Sequence, residues 1–274
     1  MRRAEPALPL RQAVALGLLQ GPTELLPVSS SAHTTLIPWL AGWDYGELDG
    51  ESRKSFELAL HAGAALALAL ADRGRLISRV RKLGARGAGA MALSLAPPAL
   101  AGLVLRGPIE RRLGSPGSIA AGLAAGALGM AVADRAPTGR SCSEAAGADG
   151  LALGIAQALA LAPGVSRSGA TLTAARARGF ARSDASALSW AAALPVLLGA
   201  SSIEVARLAR AGAPAGLGRA LIAGGTAAFL STHISGRALA RSGAAGRALL
   251  PYSVYRLSLA ALVVRRLARA RVAR

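Results

Sequence analysis

Long apolar stretches alternate along this chain with short segments rich in arginine. The clearest apolar runs cover 56–71, 88–105, 119–133, 188–200 and 253–264. A helix that crosses a bilayer needs about 20 mostly apolar residues. Several of these runs reach that length once the flanking Gly, Ala and Ser are included. Their lengths predict an all-α, polytopic integral membrane protein with roughly eight spanning helices and no soluble module. The most polar stretch, 134–149, contains Arg, Pro, Thr, Gly and Ser and reads as a loop near the chain's midpoint.

The halves on either side of that loop resemble each other. The run Ala15-Leu16-Gly17-Leu18-Leu19-Gln20 aligns with Ala152-Leu153-Gly154-Ile155-Ala156-Gln157, offset by half the chain length. Each run leads to a proline and a serine-rich segment, Pro27 to His33 in the first half and Pro163 to Gly169 in the second, with one gapped residue aligning the prolines. The division is a repeat at about 8–133, the loop 134–149, a second repeat at about 150–265 and a basic tail from 265 to 274, all in one membrane domain. Paired, interrupted hydrophobic segments mark binding sites in folds built from inverted repeats. Backbone groups freed by such interruptions cannot face lipid. The pattern therefore predicts two inverted-topology repeats, each with a re-entrant helical hairpin, and the two hairpins meeting in a wet, protein-lined cavity.

Composition sharpens this picture. The chain of 274 residues is 53% hydrophobic but only 3% aromatic. Small residues suit close helix packing in lipid. The net charge of +18 comes almost wholly from arginine, with Lys54 and Lys82 the only lysines. These charges sit between apolar runs, at Arg73-Gly-Arg75, at 79–82 and at 265–274, as in the cytoplasmic loops and tails of membrane proteins. That arrangement argues against nucleic acid as a partner. The 73–86 loop and the basic tail are expected on the cytoplasmic side. Cys142 is the single cysteine, which excludes an intrachain disulfide. Arg2 and Arg3 precede a broken apolar run without a cleavage-site pattern, so the apolar stretches themselves are expected to direct insertion.

The candidate chemistry lies in the two interruptions. Gln20 and Glu24 are four residues apart and share one face of a helix. A carboxylate in such apolar surroundings is costly unless it is paired or binds a cation. Pro27 ends that helix, and Ser29, Ser30, Ser31 and His33 follow. In the second half, Arg167 stands within Pro163-Gly-Val-Ser-Arg-Ser-Gly-Ala-Thr171. Its planar fork of donors suits phosphate oxygens, and a helix starting after Gly169 would aim its positive end at an anion. The segment reads as a phosphate cradle without the Gly-Lys-Ser/Thr of a Walker loop. Each residue alone has a structural reading: a back-bonded Ser30, a bridging His33, a snorkelling Arg167, an arginine-paired Glu24. Their joint occurrence in two related segments favours a site.

The runs Gln20 to His33 and Pro163 to Thr171 resemble the two signature segments of the undecaprenyl-diphosphate phosphatase family, also called bacitracin-resistance proteins. The likeness extends to Phe56-Glu-Leu-Ala-Leu-His61-Ala-Gly63, to 185–195 and to Tyr252-Ser-Val-Tyr255-Arg256, and so covers nearly the whole chain. It implies hydrolysis of a polyprenyl diphosphate to the monophosphate and inorganic phosphate, recycling the carrier lipid for export of wall precursors. It implies Glu24, Ser30, His33 and Arg167 as the catalytic set, and a multi-pass location in the bacterial plasma membrane with the pocket facing outward. Gln20, Ser29, Ser31, Ser166, Ser168, Gly169 and Thr171 are the expected phosphate-binding residues. A divalent cation, Mg²⁺ or Ca²⁺, is implied, with Glu24 as its ligand. The family's first motif begins with Glu or Gln, and Gln20 here leaves one carboxylate instead of two. Glu57 and His61, one helical turn apart, are read as a packing or polar-bridge pair. Ser30 and an activated water are both open as the attacking group.

Two rivals remain. Lipid phosphatases related to vanadium haloperoxidases place a histidine six residues after the arginine of their Ser-Arg segment, where this chain has Thr173. A polyprenyl-phosphate flippase suits the repeat, but it needs the arginine without the Ser–His pair. The small residues Gly122 and Gly126 suit packing between two helices of one chain, with a homodimer as the alternative.

Overall fold

The computed structural model describes residues 8–272, apart from 138, 213, 215 and 243–245, and leaves out the side chains at 44, 72–82, 106, 110, 204 and 211. Among the described residues the chain is helical and has no β-strand. The helices are α1 (Leu10–Leu25), α2 (Ser30–Ala41), α3 (Gly50–Leu93), α4 (Ala96–Leu113), α5 (Pro116–Ala133), α6 (Gly147–Leu159), α7 (Arg167–Ala177), α8 (Arg182–Ala211), α9 (Gly218–Arg241) and α10 (Leu250–Val272). Single 3₁₀ turns occupy Asp44–Glu47 and Cys142–Glu144. The expected interruptions are present: α1 stops two residues before Pro27, and α6 stops before Pro163.

Among the described residues four segments are long and apolar enough to cross a membrane: Gly50–Ala71, Leu83–Leu105, Pro116–Ala133 and Arg182–Arg210. The sequence predicted roughly eight. The helices α9 and α10 have sufficient length, at 24 and 23 residues, but α10 carries four arginines in its last two turns. Many large apolar side chains point away from the protein, among them Leu70, Leu100, Leu103, Val104, Val132 and Ile222, with Leu103 83% exposed. Apolar exposure on this scale marks a surface that meets lipid. This is a membrane protein.

Two expectations about the basic segments are corrected. The 73–86 segment is not a loop: the main chain remains helical within α3 until a break at Gly84, where φ is 64° and ψ −177°. Its Arg, Leu and Lys residues have high helix propensity. The side chains of Arg73, Arg75 and 79–82 lie outside the described residues. The basic C-terminal segment is likewise not a free tail, because α10 runs through Val272 with its arginines in the last turns, where cations are favoured by the helix dipole.

The chain forms two compact units that do not follow the sequence halves. One gathers the chain up to Leu25, His33–Arg73 and Leu197–Ala238. In it α9 lies against α1 and α3 at glycines. Gly17 meets the Gly224 carbonyl and Ala227, and Gly63 meets the Gly225 carbonyl, with no room for a Cβ at either position. The core of this unit is Leu16, Phe56, Leu60 and Leu221 with Tyr45, whose ring meets Phe56 edge to face at 6.0 Å.

The other unit gathers Leu26–Ala32, Gly74–Val196 and the chain from Leu239. Here α10 packs along α5, and α6 and α5 both pack on α7, while α4 covers α6. The glycines Gly122 and Gly126 on α5 face inward, onto Pro163, Gly164 and Arg256. That is packing between elements of one chain. At one end of this unit two buried carboxylates collect arginines. Asp134 accepts from Arg182 Nε at 2.8 Å, from Arg176 Nε at 3.4 Å and from the Leu249 amide at 3.0 Å. Asp149, 1% exposed, accepts from Arg140 Nη2 at 2.8 Å, from Arg178 Nε at 2.7 Å and from the Ala146 amide at the start of α6 at 3.0 Å.

Burial raises the pKa of Asp149, but hydrogen bonds from Arg140, the Ala146 amide and Arg178 outweigh it and leave the carboxyl at about 2, below the ordinary 3.8. A depressed carboxyl stabilises the fold fully above its unfolded pKa and loses that contribution as pH falls through the folded value. The Asp149→Asn variant should be less stable by on the order of 2 kcal/mol near neutral pH. The gap from wild type should persist above the ordinary 3.8 and close as pH falls towards about 2. Thermal melts in detergent across that range check both the size and the sign.

Candidate active site

The first group of candidate residues lies on α1 and α3. Gln20 is fully buried. Its Nε2 donates to Glu24 Oε2 at 3.2 Å, so the i, i+4 pairing expected from the sequence is made. The same nitrogen is 3.2 Å from His61 Nδ1. Accepting that bond places the ring proton of a neutral His61 on Nε2. His61 Nδ1 also stands 3.4 Å from Glu24 Oε2, with side-chain exposures of 32% for His61 and 6% for Glu24. His61 therefore belongs with Gln20 and Glu24. Its proposed partner Glu57 instead accepts from the Tyr45 hydroxyl at 3.3 Å. The polar-bridge reading holds for each residue, but to different neighbours.

Gln20 Oε1 is buried and has no hydrogen-bond partner. An unsatisfied buried amide oxygen costs about 1–3 kcal/mol, which points to a ligand at this position. A carboxylate and an amide oxygen are hard donors that suit Mg²⁺ or Ca²⁺. Among the described residues no group of three or more His, Cys, Asp or Glu side chains converges. The donor set thus fits a cation that draws much of its shell from water and substrate oxygens, as Mg²⁺ commonly does.

The second group is a pair of turns within one unit. Ser29 and Ser166 are the two described residues other than glycine with positive φ, at 76° and 66°. Each stands nine residues after a buried glutamine, Gln20 or Gln157, whose Oε1 lacks a partner. The repeat is therefore in register at the serines without the gapped residue that aligned the prolines. In each turn the serine hydroxyl lies 3.3 Å from that of the serine two residues on, Ser31 or Ser168. In each turn the next residue opens a helix, Ser30 for α2 and Arg167 for α7. The helix after the second interruption thus begins at Arg167, three residues before the expected start at Ala170. The reason is that Ser166 serves as its cap, accepting from the Gly169 amide at 3.2 Å.

The two turns touch. Ser168 Oγ donates to the Leu26 carbonyl at 3.3 Å. Two helix N-termini are thereby brought to one place, each carrying the partial positive charge of a helix start. Arg167, half-buried, adds a full charge there. Helix starts and a guanidinium are the groups that suit an anion with tetrahedral oxygens. His33 is buried on α2, one turn after Ser30 and on the same helical face. Not every predicted residue is aimed at a ligand. Thr171 Oγ1 is fully buried and meets Ser189 Oγ at 2.6 Å, a contact between α7 and α8. Gly169 is a close-approach position, with Arg256 and Met130 where a Cβ would stand.

Comparison with known proteins follows this geometry. The family model described as bacitracin resistance protein BacA matches residues 13–262. An undecaprenyl-diphosphatase of Geobacter sulfurreducens is 39% identical over 90% of this chain and 94% of its own. One from Geobacter metallireducens is 41% identical over 74% of this chain and 78% of its own. Undecaprenyl-diphosphatase 2 of Stutzerimonas stutzeri is 34% identical over 93% and 97%.

The turn at Ser166 separates two effects. Ser166→Ala and Ser166→Gly both remove the cap of α7, but only alanine must also carry a side chain at positive φ. Alanine should cost about 1 kcal/mol more stability than glycine. The order of the two melting temperatures tests the backbone geometry of the turn, and the reverse order would show that the positive φ is not maintained.

Proposed function

We propose, for a chain that belongs to the bacitracin resistance protein BacA family, that its two serine turns bind the diphosphate of a polyprenyl diphosphate and support its hydrolysis. The products are the polyprenyl monophosphate and inorganic phosphate. The observation that carries this reading is the junction of two helix N-termini, Ser30 and Arg167 in a chain whose curated relatives are named undecaprenyl-diphosphatases. Membrane helices with lipid-facing side chains suit a substrate with a long isoprenoid tail.

In the reaction an oxygen nucleophile attacks the terminal phosphorus and the P–O bond to the bridging oxygen breaks. The polyprenyl monophosphate leaves with that oxygen. Arg167 and the first amides of α7 stabilise the charge on the phosphoryl oxygens. Ser30 either attacks, forming a phosphoserine that water then hydrolyses to inorganic phosphate, or donates a hydrogen bond to the phosphate while water attacks directly. His33 takes the proton of the attacking hydroxyl and returns one to the leaving group or to water. Ser29, Ser31, Ser166 and Ser168 hold the turns and offer further donors. A divalent cation held by Glu24, with Gln20 beside it, would neutralise phosphate charge when bound. Gln20 and His61 fix the Glu24 carboxylate by the contacts described above.

Insertion in the bacterial plasma membrane with the turns open to the outer face completes the proposal. The resemblance of the signature segments and the basic end of α10, suited to the cytoplasm, support it. The matched turns at Ser29 and Ser166 support an inverted repeat, and with it a flippase as the second reading.

Purified protein in detergent should release phosphate from a polyprenyl diphosphate. Arg167→Ala, Glu24→Gln, Ser30→Ala and His33→Ala should each reduce kcat/KM by on the order of 10²–10³-fold while remaining folded. Chelator should abolish release, and Mg²⁺ or Ca²⁺ should restore it. A labelled phosphoenzyme that survives denaturation assigns the attack to Ser30, and its absence on rapid quench assigns it to water. If wild type releases no phosphate, the phosphatase reading fails, and the same variants are then assayed for head-group transport.

A further inference from the structure

Arg256 is the largest fully buried side chain among the described residues, at 0% exposure. It projects from α10 between α5 and the two turns. Among the described residues its guanidinium meets no carboxylate. Nη2 donates to the carbonyls of Gly164 at 2.9 Å and Val165 at 3.0 Å, and more distantly to Gly122 at 3.4 Å. Nη1 lies 3.4 Å from the Pro27 carbonyl and 3.4 Å from the Met130 sulfur. The carbonyls come from three separate segments, and two of those segments are the turns that precede Ser30 and Arg167. Room for the guanidinium exists because Gly126 and Gly169 stand on either side of it, and a Cβ at either would collide with it.

Burying an unpaired charge costs several kcal/mol unless dipoles replace water around it. Simple packing at this position would be met by an apolar residue. The planar fork instead reaches several carbonyls at fixed angles, which a lysine cannot do. The Pro27, Gly164 and Val165 carbonyls belong to main chain that lies outside the helices at the two interruptions.

We propose that Arg256 is a positioning residue for the phosphatase site. It holds the Pro27 and Gly164–Val165 turns in one mutual geometry, so that Ser30 at the start of α2 and Arg167 at the start of α7 address the same phosphoryl group. Arg256 does not touch substrate. The inference rests on the phosphatase reading for its kinetic consequence, but the geometry of the turns can be measured without it.

The test compares wild type, Arg256→Lys and Gly126→Ala in detergent. Arg256→Lys keeps the charge and loses the fork, and Gly126→Ala displaces the guanidinium from the other side. Amide hydrogen exchange of peptides covering 26–32 and 163–169 should accelerate together in both variants, with α9 and the first half of α3 unchanged. Turnover should fall on the order of 10²-fold, as a small misplacement of catalytic groups can cause. The loss should lie in kcat, with KM within about threefold of wild type, because the interactions lost are those of the transition state. Unchanged exchange at either turn, or wild-type kcat in folded Arg256→Lys, overturns the proposal. If neither variant accumulates as folded protein, Arg256 is a folding residue and the positioning role is likewise overturned. An inactive wild type would sink the phosphatase reading alone, and the exchange data would still decide the geometry.

Discussion

Main-chain amides and carbonyls inside a membrane must find partners within the protein, because lipid offers none. Everything particular about this chain follows from where that rule is strained. Two helices break at prolines, and each break frees carbonyls on one side and amides on the other. The carbonyls of Pro27, Gly164 and Val165 turn towards one guanidinium, while Leu26 takes the Ser168 hydroxyl. At the start of α7 the Gly169 amide turns to the Ser166 hydroxyl. One constraint thus separates the carbonyl side of the turns, which holds them together, from the helix starts on their other side.

Glycine makes this separation possible. The Gly122 and Gly126 positions admit the turn and the guanidinium against α5, and Gly169 admits it against α7. In the other unit Gly17 and Gly63 do the same for helix backbones, bringing α9 against α1 and α3. With few large side chains to fill the interior, close approach replaces interdigitation, as expected where lipid provides no hydrophobic drive between helices.

Much of this was legible beforehand. The apolar runs gave the helices, the prolines gave the interruptions, and the spacing of Gln20 and Glu24 placed them on one face. The matched segments after Gln20 and Gln157 pointed to the two places where the backbone takes a positive φ at a serine. Other features depended on partners distant in sequence. His61 carried a visible one-turn spacing to Glu57, but its neighbours are Gln20 and Glu24 on another helix. Arg256 entered only as the last residue of a segment that resembles the family, since nothing local distinguishes a guanidinium that faces inward. The charge runs misled in a different way. At 73–86 and beyond 265 they were read as loop and tail, whereas residues of high helix propensity simply extend the neighbouring helices. The one-residue gap between prolines was also misleading, because backbone conformation is matched at the serines and the prolines only precede it.

The coordination of Arg256 by main-chain carbonyls and a thioether, with no carboxylate among the described residues, has a consequence for how acidity acts on this protein. Carbonyl oxygens do not titrate, and a guanidinium keeps its charge across the physiological range. The junction between the turns therefore contains no proton-labile partner. A change in the acidity of the surroundings finds nothing to switch in this frame. An enzyme so built separates its mechanical reference from its proton chemistry, and its architecture stays constant while its reactivity responds to the medium.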